Sequence, residues 1–139
     1  IPSSTYETLK NDIIEISYPS NFNPVQPAPK GEVSFTLMLQ GYRNDSNVLV
    51  DVRPAKKLAL EKVVEQNTKF YKPTSTGQAT IDGNKASYLN YSMTKDVASR
   101  AYFIVKNDKI YRVIINYYKP SEKDFLPAFE KSVASLRIK

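Results

Sequence analysis

Two short polar turns in the second half of the chain restrict its fold more strongly than any other feature. Asp-Gly-Asn at 82–84 lies between Thr80-Ile81 and the strand-like segment 85–93, and glycine accepts a positive φ there without a Cβ clash. Asn-Asp at 107–108 lies between segments 100–106 and 109–118, whose β-branched and aromatic content is typical of strands. A tight turn joins adjacent antiparallel strands, because a parallel pair needs a long crossover. The second half therefore predicts antiparallel hairpins.

Alternating apolar positions predict three further strands in the first half. Ile14, Ile16 and Tyr18 occupy alternate positions up to Pro19, which ends the strand. Segments 33–40 and 48–52 show the same alternation. Between the first two strands, the three prolines within 21–31 predict a stiff connecting loop that contains neither strand nor helix. Phe22 is expected to anchor this departing loop in the core.

The first helical pattern follows Pro54. Leu60, Val63 and Val64, with an aromatic residue at 70 or 71, fit one face of a helix over about 57–71. Lys72-Pro73 closes this helix, because proline cannot extend the hydrogen-bonded ladder.

The second helical pattern lies near the end of the chain. Either Ser121 or Asp124 caps a helix that runs to about Val133, and Pro127 then lies in its first turns, where the backbone N–H has no partner to lose. Phe125, Phe129 and Val133 recur at intervals of four and would face the sheet. After this helix, Leu136 and Ile138 predict a short closing strand.

These elements predict a single α+β domain over residues 1–139. Segments 101–105 and 110–115 have apolar residues on both faces, and such a sheet needs cover on both sides. We therefore favour an antiparallel sheet flanked by helices, an α/β/α sandwich. The alternative places both helices on one side.

The composition excludes several chemistries. The chain has no histidine and no cysteine, so Ser-His and Cys-His nucleophile pairs and the common zinc sites cannot form. Glu61 and Glu65 lie one helical turn apart, but the neighbouring lysines favour an exposed helix face over acid–base catalysis. We expect no catalytic residue, no metal site and no cofactor. A hydrolase with a carboxylate or a Ser-Lys pair is the enzymatic alternative, and no spacing in the sequence supports it.

The formal charge of +6 lies entirely in residues 71–139, and such an excess favours an anionic partner or simply a soluble surface. The sequence-predicted candidates for a binding surface are basic and aromatic residues on two neighbouring strands: Arg100, Tyr102, Lys106, Arg112 and Tyr118. Arginine and tyrosine on a sheet can pair with anions and stack bases. Tyrosine also packs well in ordinary strands, so a purely structural role is the competing interpretation.

The order of elements resembles that of the PsbP-like family. The similar segments are ISYPSNF (16–22), NVLVDVRP (47–54), ATIDGNKASYLNYS (79–92), RAYFIVKNDKIYRVIINY (100–117) and FLPAFEKSVASLRI (125–138). The resemblance implies the α/β/α sandwich of that family. It also implies a non-enzymatic accessory or binding role, because family members are mostly of this kind and the bacterial ones are often exported as lipoproteins. The histidines with which the plant members bind metal have no counterpart here.

The resemblance leads to one expectation about function. The chain is expected to be a non-catalytic accessory or binding module of the cell envelope, extracellular or attached through a lipid anchor upstream of Ile1. We expect a monomer whose partner is a protein or an envelope component. Polyanion or nucleic-acid binding through the basic, tyrosine-rich second half is the alternative.

Overall fold

The computed structural model describes residues 1–139 and contains ten strands and two helices. The strands are β1 (Tyr6–Lys10), β2 (Ile14–Pro19), β3 (Asn23–Val25), β4 (Phe35–Gln40), β5 (Asn47–Pro54), β6 (Ser75–Ile81), β7 (Asn84–Tyr91), β8 (Val97–Lys106), β9 (Lys109–Tyr118) and β10 (Arg137–Ile138). The helices are α1 (Leu60–Tyr71) and α2 (Glu122–Ala134), and a 3₁₀ turn at Lys119–Ser121 precedes α2. Neither helix has the length and apolar character that a membrane crossing requires.

Seven strands form the main sheet in the order β3-β4-β5-β9-β8-β7-β6, and β1, β2 and β10 form a smaller sheet in the order β1-β2-β10. Every pairing is antiparallel, which confirms the predicted strand direction. The second sheet was not predicted. Strand β1 is largely exposed, so it carries little of the apolar periodicity that identifies a strand.

The two polar turns close tight hairpins, as predicted. Asp82 and Gly83 have φ angles of 51° and 75°, and Asn107 and Asp108 have φ angles of 52° and 58°. Positive φ at both central residues gives a turn whose twist matches that of the flanking strands. The β8–β9 pairing continues from its turn without interruption along both strands.

The helices lie on opposite faces of the main sheet. Helix α1 packs on β7 and β8 through Val63, which belongs to one buried cluster with Phe103. Helix α2 packs on β9 and β2 through Phe125 and Phe129, which belong to the larger cluster with Tyr102. Tyr102 and Phe103 are consecutive in β8 and therefore point to opposite faces. We call these surfaces the α1 face and the α2 face. Because one helix covers each of them, the predicted α/β/α sandwich is confirmed over the alternative with both helices on one side.

The helix boundaries differ slightly from the prediction. Helix α1 begins at Leu60 and not near 57, because Lys56 and Lys57 have φ angles of 54° and 66°, outside the right-handed helical region. Ser121, not Asp124, occupies the N-cap position of α2, although its side chain makes no capping hydrogen bond. Pro127 consequently lies in the second turn, where it removes one hydrogen bond of the helix.

The loop after β2 combines a confirmed prediction and a wrong one. Phe22 is buried and its ring meets that of Phe129 edge-on at 5.6 Å, so it anchors the loop as predicted. However, Asn23–Val25 forms the short strand β3 on the edge of β4, whereas the prolines predicted a loop without a strand. Pro24 is accommodated because an edge strand leaves alternate N–H groups without a partner.

Candidate functional site: the cleft beside helix α1

The sequence-predicted binding residues lie on two different faces of the main sheet. Partners in an antiparallel pair share a face, and Tyr102 lies opposite Val113 while Arg112 lies opposite Phe103. Arg100, Tyr102 and Lys106 therefore belong to the α2 face, whereas Arg112 and Tyr118 belong to the α1 face. The structure does not bring the five together, and a binding role for any of them stays a prediction.

On the α2 face, Arg100 and Tyr102 are engaged in packing. The Arg100 guanidinium donates hydrogen bonds to Asn90 Oδ1 (2.6 Å), Tyr102 Oη (3.0 Å) and Glu130 Oε2 (3.1 Å), and it lies 4.6 Å from the ring centre of Tyr88. The Tyr102 side chain is only 5% exposed, and burial raises its pKa. Lys106 is half-buried opposite Lys109 at the turn. Little of this cluster is available for a large ligand.

On the α1 face, Tyr118 and Arg112 lie in separate environments. The guanidinium of Arg43 covers the ring of Tyr118 at 3.7 Å and is itself paired through two hydrogen bonds with Asp45. Arg112 lies further along β9 and lines a cleft. The cleft is the largest concave feature of the protein and is our candidate site.

This α1 cleft exists because helix α1 covers β7 and β8 but leaves the end of β5 open. Its volume is about 500 Å³, within the range of small-molecule sites. Residues from α1, the end of β5, β9, the β5–α1 loop and the loop before β4 line it: Glu32, Arg53, Pro54, Ala55, Lys56, Leu58, Val63, Gln66, Asn67, Phe70, Tyr71, Ile110 and Arg112.

Two arginines that line the cleft, Arg53 and Arg112, share the carboxylate of Asp51. Arg112 donates to both carboxylate oxygens of Asp51, through Nε at 3.2 Å and through a second, shorter contact from its terminal nitrogen. Arg53 reaches the same carboxylate at 3.4 Å. Burial lowers the pKa of Arg112, but the hydrogen bonds and charge of Asp51 outweigh it, so the pKa lies above its ordinary value. The three groups together carry one excess positive charge.

Arg53 uses little of its hydrogen-bonding capacity, since its side chain donates only to Asp51. Its Nε is buried and has no hydrogen-bond partner. Arg112, in contrast, donates through its remaining terminal nitrogen to Tyr71 Oη at 2.9 Å. The Arg53 side chain is 37% exposed and lines the cleft, so its terminal N–H groups are accessible to an acceptor from a ligand.

Aromatic rings form the α1 wall of the cleft. Phe70 is 75% exposed, which is unusual for a ring of its size, and it meets Tyr71 edge-on at 5.0 Å. Tyr71 lies 4.6 Å from the ring of Tyr91, centre to centre. Burial, followed by the influence of Tyr71, raises the pKa of Tyr91 to about 12. The wall therefore offers an apolar surface whose Tyr71 is held in place by packing against Tyr91.

The loop between β5 and α1, which contributes to the cleft, has an unusual backbone. Lys56 and Lys57 are consecutive left-handed residues, a conformation that L side chains rarely adopt. Asp108 holds them in place, since its carboxylate accepts the N–H of Lys57 at 2.6 Å and its carbonyl accepts the N–H of Ala55 at 2.9 Å. Lys56 forms an ion pair with Glu32, and both residues line the cleft. Backbone strain of this kind is common at functional sites.

The electrostatics favour binding over proton transfer. Wherever the surroundings displace a pKa, they move it away from neutrality. The hydrogen bond from Arg43 lowers the pKa of Asp45, backbone hydrogen bonding and Lys85 lower that of Glu61, and burial raises that of Tyr117. A general acid or base works best with a pKa near the ambient pH. No cluster of three or more carboxylates suited to a metal ion is present.

Of the residues in the cleft, the sequence singled out only Arg112 as a binding candidate. The sequence also hinted at Asp51 and Arg53. They alternate with the buried positions Val48, Val50 and Val52 and therefore place two charges on the other face of β5. The partner of Asp51 on β9, Arg112, is 61 residues away in sequence, so the cleft itself could not be predicted from the pattern.

No protein-family model matches the sequence, and no curated protein is significantly similar to it. Similarity is found among solved structures. The solution structure of cyanobacterial PsbP from Synechocystis matches with a TM-score of 0.69 and 13% identity, over 100% of this chain and 94% of that one.

Two crystal structures are also similar. A Bacteroides thetaiotaomicron protein matches with a TM-score of 0.60 and 13% identity, over 91% of this chain and 45% of its own length. A Pseudomonas aeruginosa protein of unknown function matches with a TM-score of 0.57 and 11% identity, over 98% of this chain and 99% of that one. At these identities the comparisons concern the fold alone, and by its fold this chain is PsbP-like.

Proposed function

We propose that the protein is a non-catalytic binding module of the cell envelope, and that its α1 cleft accepts a ligand with a small anionic group. The PsbP-like fold is compatible with an accessory role, which the family resemblance of the sequence implies. The envelope location also rests on that resemblance. The partner that carries the anionic group is a protein or an envelope component, and the chain acts on it as a monomer.

The observation that carries the ligand class is the partly exposed guanidinium of Arg53, which lines the cleft and makes only one hydrogen bond. The Arg53 side chain is 37% exposed and its terminal nitrogens make one hydrogen bond, to Asp51, which balances only one of the two guanidinium groups beside the cleft. A carboxylate or phosphate oxygen would accept hydrogen bonds from the terminal N–H groups of Arg53 and balance the remaining charge. Arginine suits such ligands because its planar donors match their oxygens.

The walls of the cleft favour an apolar portion next to the anion. Phe70, whose ring is exposed, lines the cleft together with Leu58 and Ile110. An aromatic or aliphatic group placed against Phe70 would remove apolar surface from water. We therefore expect an organic anion to bind more tightly than an inorganic one.

The absence of catalysis is inferred from the same groups. Arginine and tyrosine whose pKa values lie above their ordinary values do not exchange protons near neutrality. Polyanion binding was suggested by basic and aromatic residues that lie on opposite faces of the main sheet. No specific observation therefore favours that function.

The test uses matched small probes. Benzoate and phenyl phosphate are titrated into the protein, with benzylamine as a cationic probe of similar shape, while backbone amides are followed by NMR. We expect the anions, and not benzylamine, to shift the amides of Arg53, Phe70 and Arg112. Arg53→Gln should weaken anion binding by about tenfold, the loss of one charged hydrogen bond.

Arg43→Gln is the control variant, because Arg43 is also half-buried and paired with a carboxylate but lies outside the cleft. It should leave anion binding unchanged. Equal responses to benzoate and benzylamine, or equal affinities of the Arg53 and Arg43 variants, would refute the proposed site. For location, fractionation of the natural gene product should recover it with the envelope, and recovery in the cytosol alone would refute that part.

A further inference from the structure

The free edge of the main sheet at β6 is long and unprotected. Ser75–Ile81 pairs with β7 over all seven of its residues, without a bulge. Its sequence, STGQATI, contains no charge and no proline. Proteins usually protect such edges with charges, prolines, bulges or short strands, because the unpaired backbone groups can pair with another chain. The opposite edge follows this rule, since β3 has three residues and one is Pro24.

The ladder determines which backbone groups are free. Ile81 and Asn84 flank the two-residue turn and pair with each other, so the backbone of Ile81 faces β7. Along an antiparallel strand, successive residues direct their backbone N–H and C=O groups alternately towards and away from the neighbouring strand. The N–H and C=O groups of Thr76, Gln78 and Thr80 therefore point away from β7. Their side chains are exposed as well.

The α2 side of this edge is flat. The ring of Tyr88 lies across Gly77, so close that a Cβ at Gly77 would be 2.3 Å from Tyr88 Cζ. The Arg100 guanidinium stacks on the same ring and Tyr102 packs at 5.4 Å. With Ala79 next along the strand, this side offers no bulky obstacle to an incoming strand.

The α1 side of the edge has a groove of about 240 Å³. Val64 and Thr68 of α1 form one wall, and Thr76 and Gln78 of β6 form the other. None of the residues that line it is charged. In strand addition, backbone hydrogen bonds supply affinity and pockets for alternate side chains supply specificity. The groove is placed to take one uncharged side chain from an added strand.

The surrounding charges identify the occupant. Lys69 and Lys72 are exposed where α1 leads into β6, and neither forms an ion pair. Lys85 lies opposite Thr80 and has only an exposed pairing with Glu61. A second copy of the chain would bring the same lysines and the same formal charge of +6, so like charges oppose self-pairing. We infer that β6 accepts an extended, acidic segment of another protein as an eighth strand. This surface is independent of the α1 cleft.

The test uses synthetic peptides of about eight residues, the length of a typical strand. One has a core of alternating valine and threonine flanked by aspartates, and the other has the same core flanked by lysines. We expect the acidic peptide to shift the amides of Thr76, Gln78 and Thr80 in NMR spectra of the full chain. Its affinity should exceed that of the basic peptide by roughly tenfold and should fall with added salt.

Two sets of variants separate the backbone and charge contributions. Gln78→Pro removes one outward N–H and leaves the β6–β7 ladder intact, so it should weaken binding by roughly three- to tenfold, whereas Gln78→Ala should not. Should Gln78→Pro fail to fold, Lys69→Glu combined with Lys72→Glu tests the charge, and it should remove the preference for the acidic peptide. Shifts confined to other surfaces, no preference between the peptides, or a concentration-dependent doubling of mass would each overturn the inference.

Discussion

Asp51 and Arg112 face each other across the β5–β9 pairing, and the carboxylate of Asp51 accepts hydrogen bonds from both Arg112 and Arg53. The Asp51 side chain is only 12% exposed. One carboxylate thus holds two guanidinium groups that line the α1 cleft. The stability of the cleft and its charge both depend on this residue.

Replacing Asp51 by Asn is expected to lower the free energy of unfolding by about 1–3 kcal/mol, because two half-buried guanidinium groups lose their counter-charge. Urea unfolding measures the change. Asp45→Asn is the matched control, since Asp45 makes the same two-point contact with Arg43 but is 32% exposed. That change should cost less than about 1 kcal/mol, and equal costs would contradict the argument.

Gly41 is expected to tolerate no side chain. A Cβ there would lie 2.8 Å from Phe22 Cζ, and Phe22 is held edge-on against Phe129. Gly41→Ala should therefore lower the free energy of unfolding by about 1–3 kcal/mol. Adding Phe22→Leu should make the two changes non-additive, because the smaller side chain relieves the clash. Strict additivity in denaturant unfolding would show that the clash is absent.

Tyr91 is expected to make the protein sensitive to alkali. Its pKa of about 12 in the folded state lies above the value of about 10 in an unfolded chain. The neutral ring therefore contributes stability that is complete below about pH 10 and is lost as the pH rises towards 12, on the order of 2–3 kcal/mol. Urea unfolding across this range, compared with Tyr91→Phe, isolates the contribution from that of the lysines. Parallel pH profiles for the two proteins would contradict the assignment.

Replacing Lys57 by glycine is expected to stabilise the protein. The Lys57 φ of 66° is costly for any residue with a Cβ, whereas glycine adopts it freely. Lys57→Gly should raise the free energy of unfolding by about 0.5–1 kcal/mol. The same change at Lys62, exposed inside α1, should lower it by about 1 kcal/mol. Thermal unfolding distinguishes the two, and changes of the same sign would refute the explanation.

Local sequence patterns were sufficient to predict most of the strands and helices. The turns at 82–84 and 107–108 carry residues that accept positive φ, and this chemistry acts over a few residues only. The burial of Phe22 followed from an aromatic residue placed just after a proline-ended strand. Strand β3 was missed because proline usually excludes a strand, and its place at an edge depends on β4.

Much less of the candidate site could be predicted from the sequence. Arg100 and Arg112 lie on neighbouring strands, but their faces depend on which residues pair across the β8–β9 turn. Since side chains alternate with a period of two, a shift of one residue would reverse the face of every side chain. The α1 cleft depends further on how much of the sheet helix α1 covers, and no single segment carries that information.

The sequence by itself determined where strands turn, where helices lie and that histidine or thiol chemistry is absent, because each of these depends on residue type and short-range backbone preference. The tertiary structure alone decided that Asp51, Arg53 and Arg112 meet beside Phe70, and that β6 ends the main sheet unprotected. These features arise from pairings between strands distant in the chain, whose free energy belongs to the assembled sheet and to no single segment.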